Sequence, residues 1–326
     1  MKAKLKLATL AVALSTVAAL PALAEGQLHL VFAVHSSASN TFWQAVKKGY
    51  DDACAKVNAD CKMLFTQTEG SVQEQVANIE AALATKPDAL FTSIVDNTAL
   101  DDVIKGARDQ GVTVLGVNVD DTEGAAGNAR EAFIGQGFLA AGYSLGKAQS
   151  ANFPAEGPIR VLVGISAPGQ NWSEQRGQGV INFLEEYKAK SGRDISWEKL
   201  DSGTDLAVTA DRVGAYLAAH PDTTAYFDTG FWHAAVAGTL KDRGVEPGKV
   251  LLGGFDLVPQ VVDQLKAGYI QVEVDQQPYM QGFMPVMMAY LKKTAGLAPS
   301  NVDTGQAIVT PADADAIMSL SEQGLR

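Results

Sequence analysis

The chain predicts an α/β protein of two lobes, each a parallel β-sheet covered by helices. Three observations lead there. Apolar, β-branched runs alternate with helical patterns almost without interruption along the 326 residues. The runs are apolar throughout, the mark of strands buried on both faces and hence of parallel sheets between helical layers. The series also restarts past its middle, and a chain of roughly 300 residues after its leader is long for one core.

The elements justify themselves in order. Met1 to Gly26 opens with Lys2, Lys4 and Lys6, continues apolar from Leu7 to Leu20, and ends at Ala22-Leu23-Ala24. That is a secretory signal over residues 1–24, with cleavage before Glu25. "LHLVFAV" (Leu28 to Val34) is the first strand, followed by a helix from Thr41 to Val57. "CKMLFTQ" (Cys61 to Gln67), a helix over Ser71 to Thr85, "ALFTSI" (Ala89 to Ile94), a helix over Asn97 to Gln110 and "TVLGVNV" (Thr113 to Val119) complete the first series. Gly135 and Gly137 suit a crossing point, because glycine tolerates unusual dihedrals. "IRVLVGI" (Ile159 to Ile165) begins the second series, with a helix from about Ser173 to Ser191. "ISWEKLD" (Ile195 to Asp201), a helix over Leu206 to Ala219, "TAYFDT" (Thr224 to Thr229) and "KVLLGGF" (Lys249 to Phe255) follow.

Composition narrows the function. The formal net charge is −11, and removal of the three leader lysines makes the remainder more acidic. Nucleic acid and anionic membranes favour basic faces and are therefore not expected partners. Cys54 and Cys61 are the two cysteines. In an exported protein they read as one short-loop disulfide, the other reading being two free thiols. Four scattered histidines and two cysteines make no zinc pattern, and neither a metal nor a cofactor is expected.

Ligands of open parallel sheets bind beyond the carboxyl ends of the strands, so the residues just after each strand are the candidates. They are His35, Ser36, Ser37, Asn40, Phe42 and Trp43 after the first strand, Asp96 after the third, and Asn118, Asp120 and Asp121 after the fourth. The second series adds Gln170, Asn171, Trp172 and Arg176, then Thr204 and Asp205, then Asp228, Phe231 and Trp232, then Asp256 and finally Asp275, Gln276 and Gln277. Carboxylates accept, arginine donates and amides do both, which matches hydroxyls that also do both. The C–H face of a sugar can lie on an aromatic ring. A neutral polyhydroxylated solute fits this chemistry. Asp96 and Asp201 read better as turn or cap residues.

"SSASNTFWQAVKKG", "WSEQRGQG", "LAAHPDTTAYF", "LGGFD" and "VEVDQQPYMQG", in this order behind a signal peptide, resemble the type I periplasmic binding proteins, specifically the ribose and galactose binders of sugar ABC importers. The resemblance covers essentially the whole chain after the leader. It implies two Rossmann-like three-layer lobes joined by a three-segment hinge near Gly135, Gln276 and Gln306. Residues 25–134 plus 277–305 would form one lobe, and 135–276 plus 306–326 the other. Among ligand contacts it assigns Asn40, Phe42 and Trp43 in the first loop, Arg176 of R-x-x-G with Gly179, Asp256 of G-F-D, and Gln276 in the last crossing. Ser36, Asn118, Gln136, Trp172, Thr204, Asp205 and Trp232 complete the expected binding set. It also implies hinge closure, a periplasmic location, ABC permease subunits as partners and a chemoreceptor as a further one. Two departures stand out: Asn118 replaces the acid usual at the fourth strand, and "TGFW" (Gly230 to Trp232) replaces an Asn-Asp pair. Both point to a pentose, hexose or sugar alcohol other than ribose or galactose.

Other classes find less support. "GISAPG" is not a nucleophile elbow, and no phosphate loop follows the first strand, so no enzyme is expected. A sugar-responsive repressor would carry a DNA-binding helix pair where the leader stands. A furanosyl quorum signal as ligand, or sensing for chemotaxis or a kinase, are the alternative readings within the same family.

Overall fold

The computed structural model describes residues 26–326. The leader expected over residues 1–24 lies outside them. The first lobe begins with β1 (His29–Ser37), α1 (Thr41–Val57), β2 (Asp60–Thr66), α2 (Val72–Leu83), β3 (Ala89–Thr92), α3 (Asp101–Asp109), β4 (Thr113–Asn118) and β5 (Ala132–Gly135). The second continues with α4 (Phe138–Gln149), β6 (Ile159–Ile165), α5 (Asn171–Ser191), β7 (Ile195–Asp201), α6 (Leu206–Ala219) and β8 (Ala225–Asp228). Then come α7 (His233–Asp242), β9 (Leu251–Phe255), α8 (Pro259–Lys266), β10 (Ile270–Asp275), α9 (Pro278–Ala295), β11 (Val302–Asp303), β12 (Ala307–Val309) and α10 (Ala314–Glu322).

Two six-stranded sheets result, in the orders β11-β5-β4-β3-β1-β2 and β12-β10-β9-β8-β6-β7. Every pairing is parallel except that of β12 with β10. The apolar runs explain the arrangement. Leu30 to Val34 and Val114 to Val117 face helices on both sides and are buried. β2 lies on an edge, and its exposed-intermediate alternation reflects that place.

Local signals set the helix ends. Asn40 Oδ1 accepts from the Phe42 amide and starts α1, while Asn58, left-handed at φ 51°, stops it. Ser71 caps α2 from outside, so that helix begins one residue later than expected. Asp96 Oδ1 takes the amides of Thr98 and Ala99 into a turn, and α3 starts only at Asp101. Gly192, at φ 68°, ends α5.

The chain passes between sheets at Gln136–Gly137, at Gln276–Gln277 and at Thr304–Gln306. Gly135 still pairs with Asn118 and Asp303 in the first sheet, which moves the first crossing one residue beyond the expected start of the second lobe. Glutamine side chains bind the crossings together. Gln136 Nε2 donates to the Gly305 carbonyl (2.8 Å), Gln277 Nε2 to the Thr304 carbonyl (2.7 Å), and Gln281 Nε2 to the Gln276 carbonyl (2.9 Å).

Each lobe also contains one glycine-paired helix contact. A Cβ on Gly49 or Gly282 would strike the backbone of the opposite helix in the α1–α9 pair. Gly142 and Gly179 do the same for α4–α5. These glycines serve close backbone approach. Cys54 of α1 is bonded to Cys61 of β2.

Candidate functional site

The carboxyl ends of the two sheets face each other across a cavity. About 380 Å³ is free of protein atoms there, part of it open to solvent. The first lobe supplies His35, Asn40, Phe42, Trp43, Glu69 and Asn118 to the lining. After the first crossing come Phe138, Trp172, Arg176, Gly230, Phe231, Trp232 and Asp256, with Gln276 from the second crossing.

Trp43 is wedged edge-on against Phe32, His35 and Phe42 at 6.1, 5.5 and 5.4 Å between ring centroids. It is core and wall at once. Facing it from the other lobe, Phe231 stacks on Trp232 at 4.6 Å, and Trp172 tilts toward Trp232 at 6.1 Å. The Trp172 indole N–H donates to Gln170 Oε1 (2.7 Å), so its one polar atom is occupied away from the cavity.

Arg176 is the buried cation of the second wall. Its guanidinium lies 4.0 Å from the Phe255 ring centroid and 4.6 Å from that of Phe138. Nη1 donates to the Thr229 carbonyl (2.9 Å) and Nη2 to Gln136 Oε1 (3.2 Å), while Nε has no protein partner. Burial lowers its pKa to about 10, with the charges of Asp256, Asp228 and Glu273 resisting. Arg176 stays charged at neutral pH.

The carboxylate beside it, Asp256, sits in a left-handed turn at φ 77° just after β9. Burial raises its pKa, against the pull of Arg176 and of the hydrogen bond from Gln276. Gln276 Nε2 donates to Asp256 Oδ1, and Gln276 Oε1 accepts from Asn118 Nδ2 at 3.1 Å. Asn118, also left-handed at φ 68°, donates again to Gln281 Oε1 (2.9 Å). Asp256, Gln276 and Asn118 thus form one amide-carboxylate series running from lobe to lobe through the hinge.

On the opposite side, Glu69 accepts from Ser36 Oγ (2.8 Å), the Ser37 amide (2.8 Å) and Asn40 Nδ2 (3.0 Å). His35 is held by Ser93 Oγ (2.7 Å) through Nδ1. Burial depresses its pKa to about 4 despite the nearby charge of Glu69, and it is neutral at pH 7.

The structure brings Asn40, Phe42, Trp43, Asn118, Trp172, Arg176, Trp232, Asp256 and Gln276 together around the cavity. It places four expected residues elsewhere. Ser36 supports Glu69 from behind, and Gln136 supports Arg176 from within the hinge. Asp205 Oδ1 is engaged by the amides of Ala207 and Val208, as the cap of α6. With Thr204 it borders an outer crevice beyond Phe231 and Trp232. His35 and Phe231 stood among the strand-end residues without entering the expected set. Glu69 and Phe138 were missed outright. Glu69 follows β2, and applying the strand-end rule to that strand would have found it. Phe138 follows a crossing, and no periodic signal marks it.

Known proteins share the two-lobed fold. The family model described as "Periplasmic binding protein domain" matches residues 30–296. A xylose/arabinose-binding protein of Sulfolobus acidocaldarius is 27% identical over 296 residues, covering 86% of this chain and 70% of that one. A solved periplasmic sugar-binding protein of an ABC sugar transporter from Legionella pneumophila is 27% identical, with a TM-score of 0.77 over 85% of this chain and 98% of that chain. As a fold, a carbohydrate transporter protein from Acidothermus cellulolyticus in complex with myo-inositol superposes with a TM-score of 0.79, at 24% identity over 92% of this chain and 100% of that chain. The chain belongs to the periplasmic binding protein family.

Proposed function

We propose that this family member works as the periplasmic capture component of an ABC importer. It binds a neutral monosaccharide or sugar alcohol between its lobes and delivers it to the membrane permease, without chemical change to the solute. The observation that carries the reading is the composition of the cavity. Phe42, Trp43, Phe138, Trp172, Phe231 and Trp232 surround one guanidinium and two carboxyl groups, Glu69 and Asp256. Aromatic faces accept the C–H surface of a sugar, and the polar groups pair with its hydroxyls. With two acids against Arg176, an anionic solute would enter a site lacking matching positive charge. The sugars named for the relatives, xylose and arabinose among them, are of this class.

The test is a thermal-shift panel of pentoses, hexoses and alditols on the mature protein, with sugar phosphates and amino acids as charged controls. A ligand that binds only the native state raises the midpoint with concentration. A shift with at least one neutral polyol and none with the charged set is expected. Shifts confined to the charged set would overturn the reading.

A further inference from the structure

The start of α5 is fastened to the opposite lobe by direct hydrogen bonds. The Asn171 amide donates to the Val95 carbonyl at 3.0 Å. Asn171 Nδ2 donates to Asn97 Oδ1 (2.6 Å) and approaches the Asp120 carbonyl (3.3 Å). One residue earlier, Gln170 Nε2 donates to the Gly70 carbonyl (3.1 Å). Val95, Asn97, Asp120 and Gly70 all follow strands of the first sheet, whereas Gln170 and Asn171 follow β6 of the second. Every one of these bonds spans the cleft.

We propose that Gln170 and Asn171 form a clasp that favours lobe closure and positions the Trp172–Arg176 face of α5 over the cavity, so that Asn171 sets solute affinity without lining the cavity. This rests on the reading of the cavity as a solute site and names residues that tune it. Three features support it. A helix leaves its first amides without intrahelical acceptors. In α5 no side chain caps that end, and the Asn171 amide finds its acceptor on the other lobe. The receiving side is prearranged, because Asn97 Nδ2 donates to Thr122 Oγ1 (2.6 Å) and Asn97 Oδ1 accepts from the Thr122 amide (3.1 Å). The clasp is also continuous with the wall. Gln170 Oε1 takes the indole N–H of Trp172, and Arg176 lies little more than one helical turn along.

Opening the lobes must break these bonds. When only the closed form binds the solute, the apparent Kd is the intrinsic Kd divided by the closed fraction. Loss of the clasp should therefore lower that fraction, weaken binding and speed release.

The test uses the mature protein and the substitutions Asn171→Ala, Asn97→Ala, both together, and Asn97→Asp, which keeps an acceptor for Asn171 Nδ2. In buffer without sugar, small-angle X-ray scattering reads the radius of gyration. Asn171→Ala and Asn97→Ala should each increase it, the pair should add little more, and Asn97→Asp should lie close to the parent. For the neutral sugar giving the largest thermal shift, stopped-flow tryptophan fluorescence should show dissociation about tenfold faster in the alanine variants. Sugar-free melting midpoints should change little, which a purely structural role would not allow. If Asn171→Ala folds poorly, Asn97→Ala on the other lobe decides alone. Scattering identical to the parent's in both single variants overturns the clasp. The scattering arm contains no sugar, so its outcome is independent of whether any sugar on the panel binds.

Discussion

Replacing Arg176 by methionine (Arg176→Met) separates the two roles its surroundings give it. The guanidinium makes two hydrogen bonds, to the Thr229 carbonyl and to Gln136 Oε1. Hydrogen bonds from a charged donor contribute about 1.5–3 kcal/mol each, so their loss costs about 3–6 kcal/mol. Against this, burial has moved its pKa from 12.5 to about 10. That shift corresponds to about 3 kcal/mol held against the charged form, which the substitution returns. Methionine also fills the slot between Phe138 and Phe255 with a flexible apolar chain that packs well on rings. The net loss of stability should be about 0–3 kcal/mol, and the protein should remain folded. Binding has no such offset. The remaining guanidinium N–H groups, Nε included, have nothing to replace them, and one charged hydrogen bond to a solute hydroxyl is worth about 1.5–3 kcal/mol. Affinity should fall about 10- to 150-fold. Isothermal titration with the best neutral sugar, alongside a sugar-free urea melt, reads both quantities. Affinity within threefold of the parent would show that the guanidinium only props the wall.

Two further outcomes follow from buried groups behind that wall. His233 Nε2 and Glu273 Oε1 form a fully buried pair near Asp228, Asp256 and Arg176, and burial raises Glu273 to about 7 from 4.5. A carboxyl held above its unfolded value costs the protein stability as pH rises from 4.5 through about 7, and His233, lowered by burial but raised on balance by Glu273 and Asp228, changes in the same sense. Parent and Glu273→Gln urea midpoints at pH 5 and pH 8 should therefore differ in pH response, with the parent losing up to about 3 kcal/mol more across that interval; equal losses refute the assignment. For Gly142→Ala, the added methyl meets the Arg176 carbonyl of α5, which should cost about 1–3 kcal/mol of stability and weaken sugar binding by displacing the helix. An unchanged melting midpoint would mean that α4 and α5 separate freely.

Much of the fold was legible because burial on both faces leaves a plain mark. α1, β6, β7 and α6 run over the residues their periodicity indicates. Where side chains take backbone donors, the reading slipped: Asp96 turns the chain into which α3 was extended, and Ser71 stands outside α2. β5, β11 and β12, of four, two and three residues, are too short for any periodic signal. The cavity was partly legible because strand ends converge there. Asp205 illustrates the limit, since a strand-end acid and a helix cap occupy the same kind of position in sequence, and only the amides of Ala207 and Val208 distinguish them. Asn171 marks another. Its partners are the Val95 and Asp120 carbonyls and the Asn97 side chain, all on the other lobe, a pairing across the cleft that no local pattern announces.

The hinge and the cavity wall share a residue, and this constrains how specificity can change. Gln276 lies in the crossing, lines the cavity, donates to Asp256 of one lobe and accepts from Asn118 of the other. A carboxylate at position 118 would face the Gln276 carbonyl oxygen with no proton to offer, so the asparagine found there suits the series as it stands. Placing an acid there, as in Asn118→Asp, would turn Gln276 or remove the N–H that Gln281 Oε1 now accepts. Either change alters the second crossing as well as the pocket. Phe231 and Trp232 line the same cavity but lie outside the crossing segments, so substitutions there can reshape it without altering a crossing residue, and this end is the freer to vary.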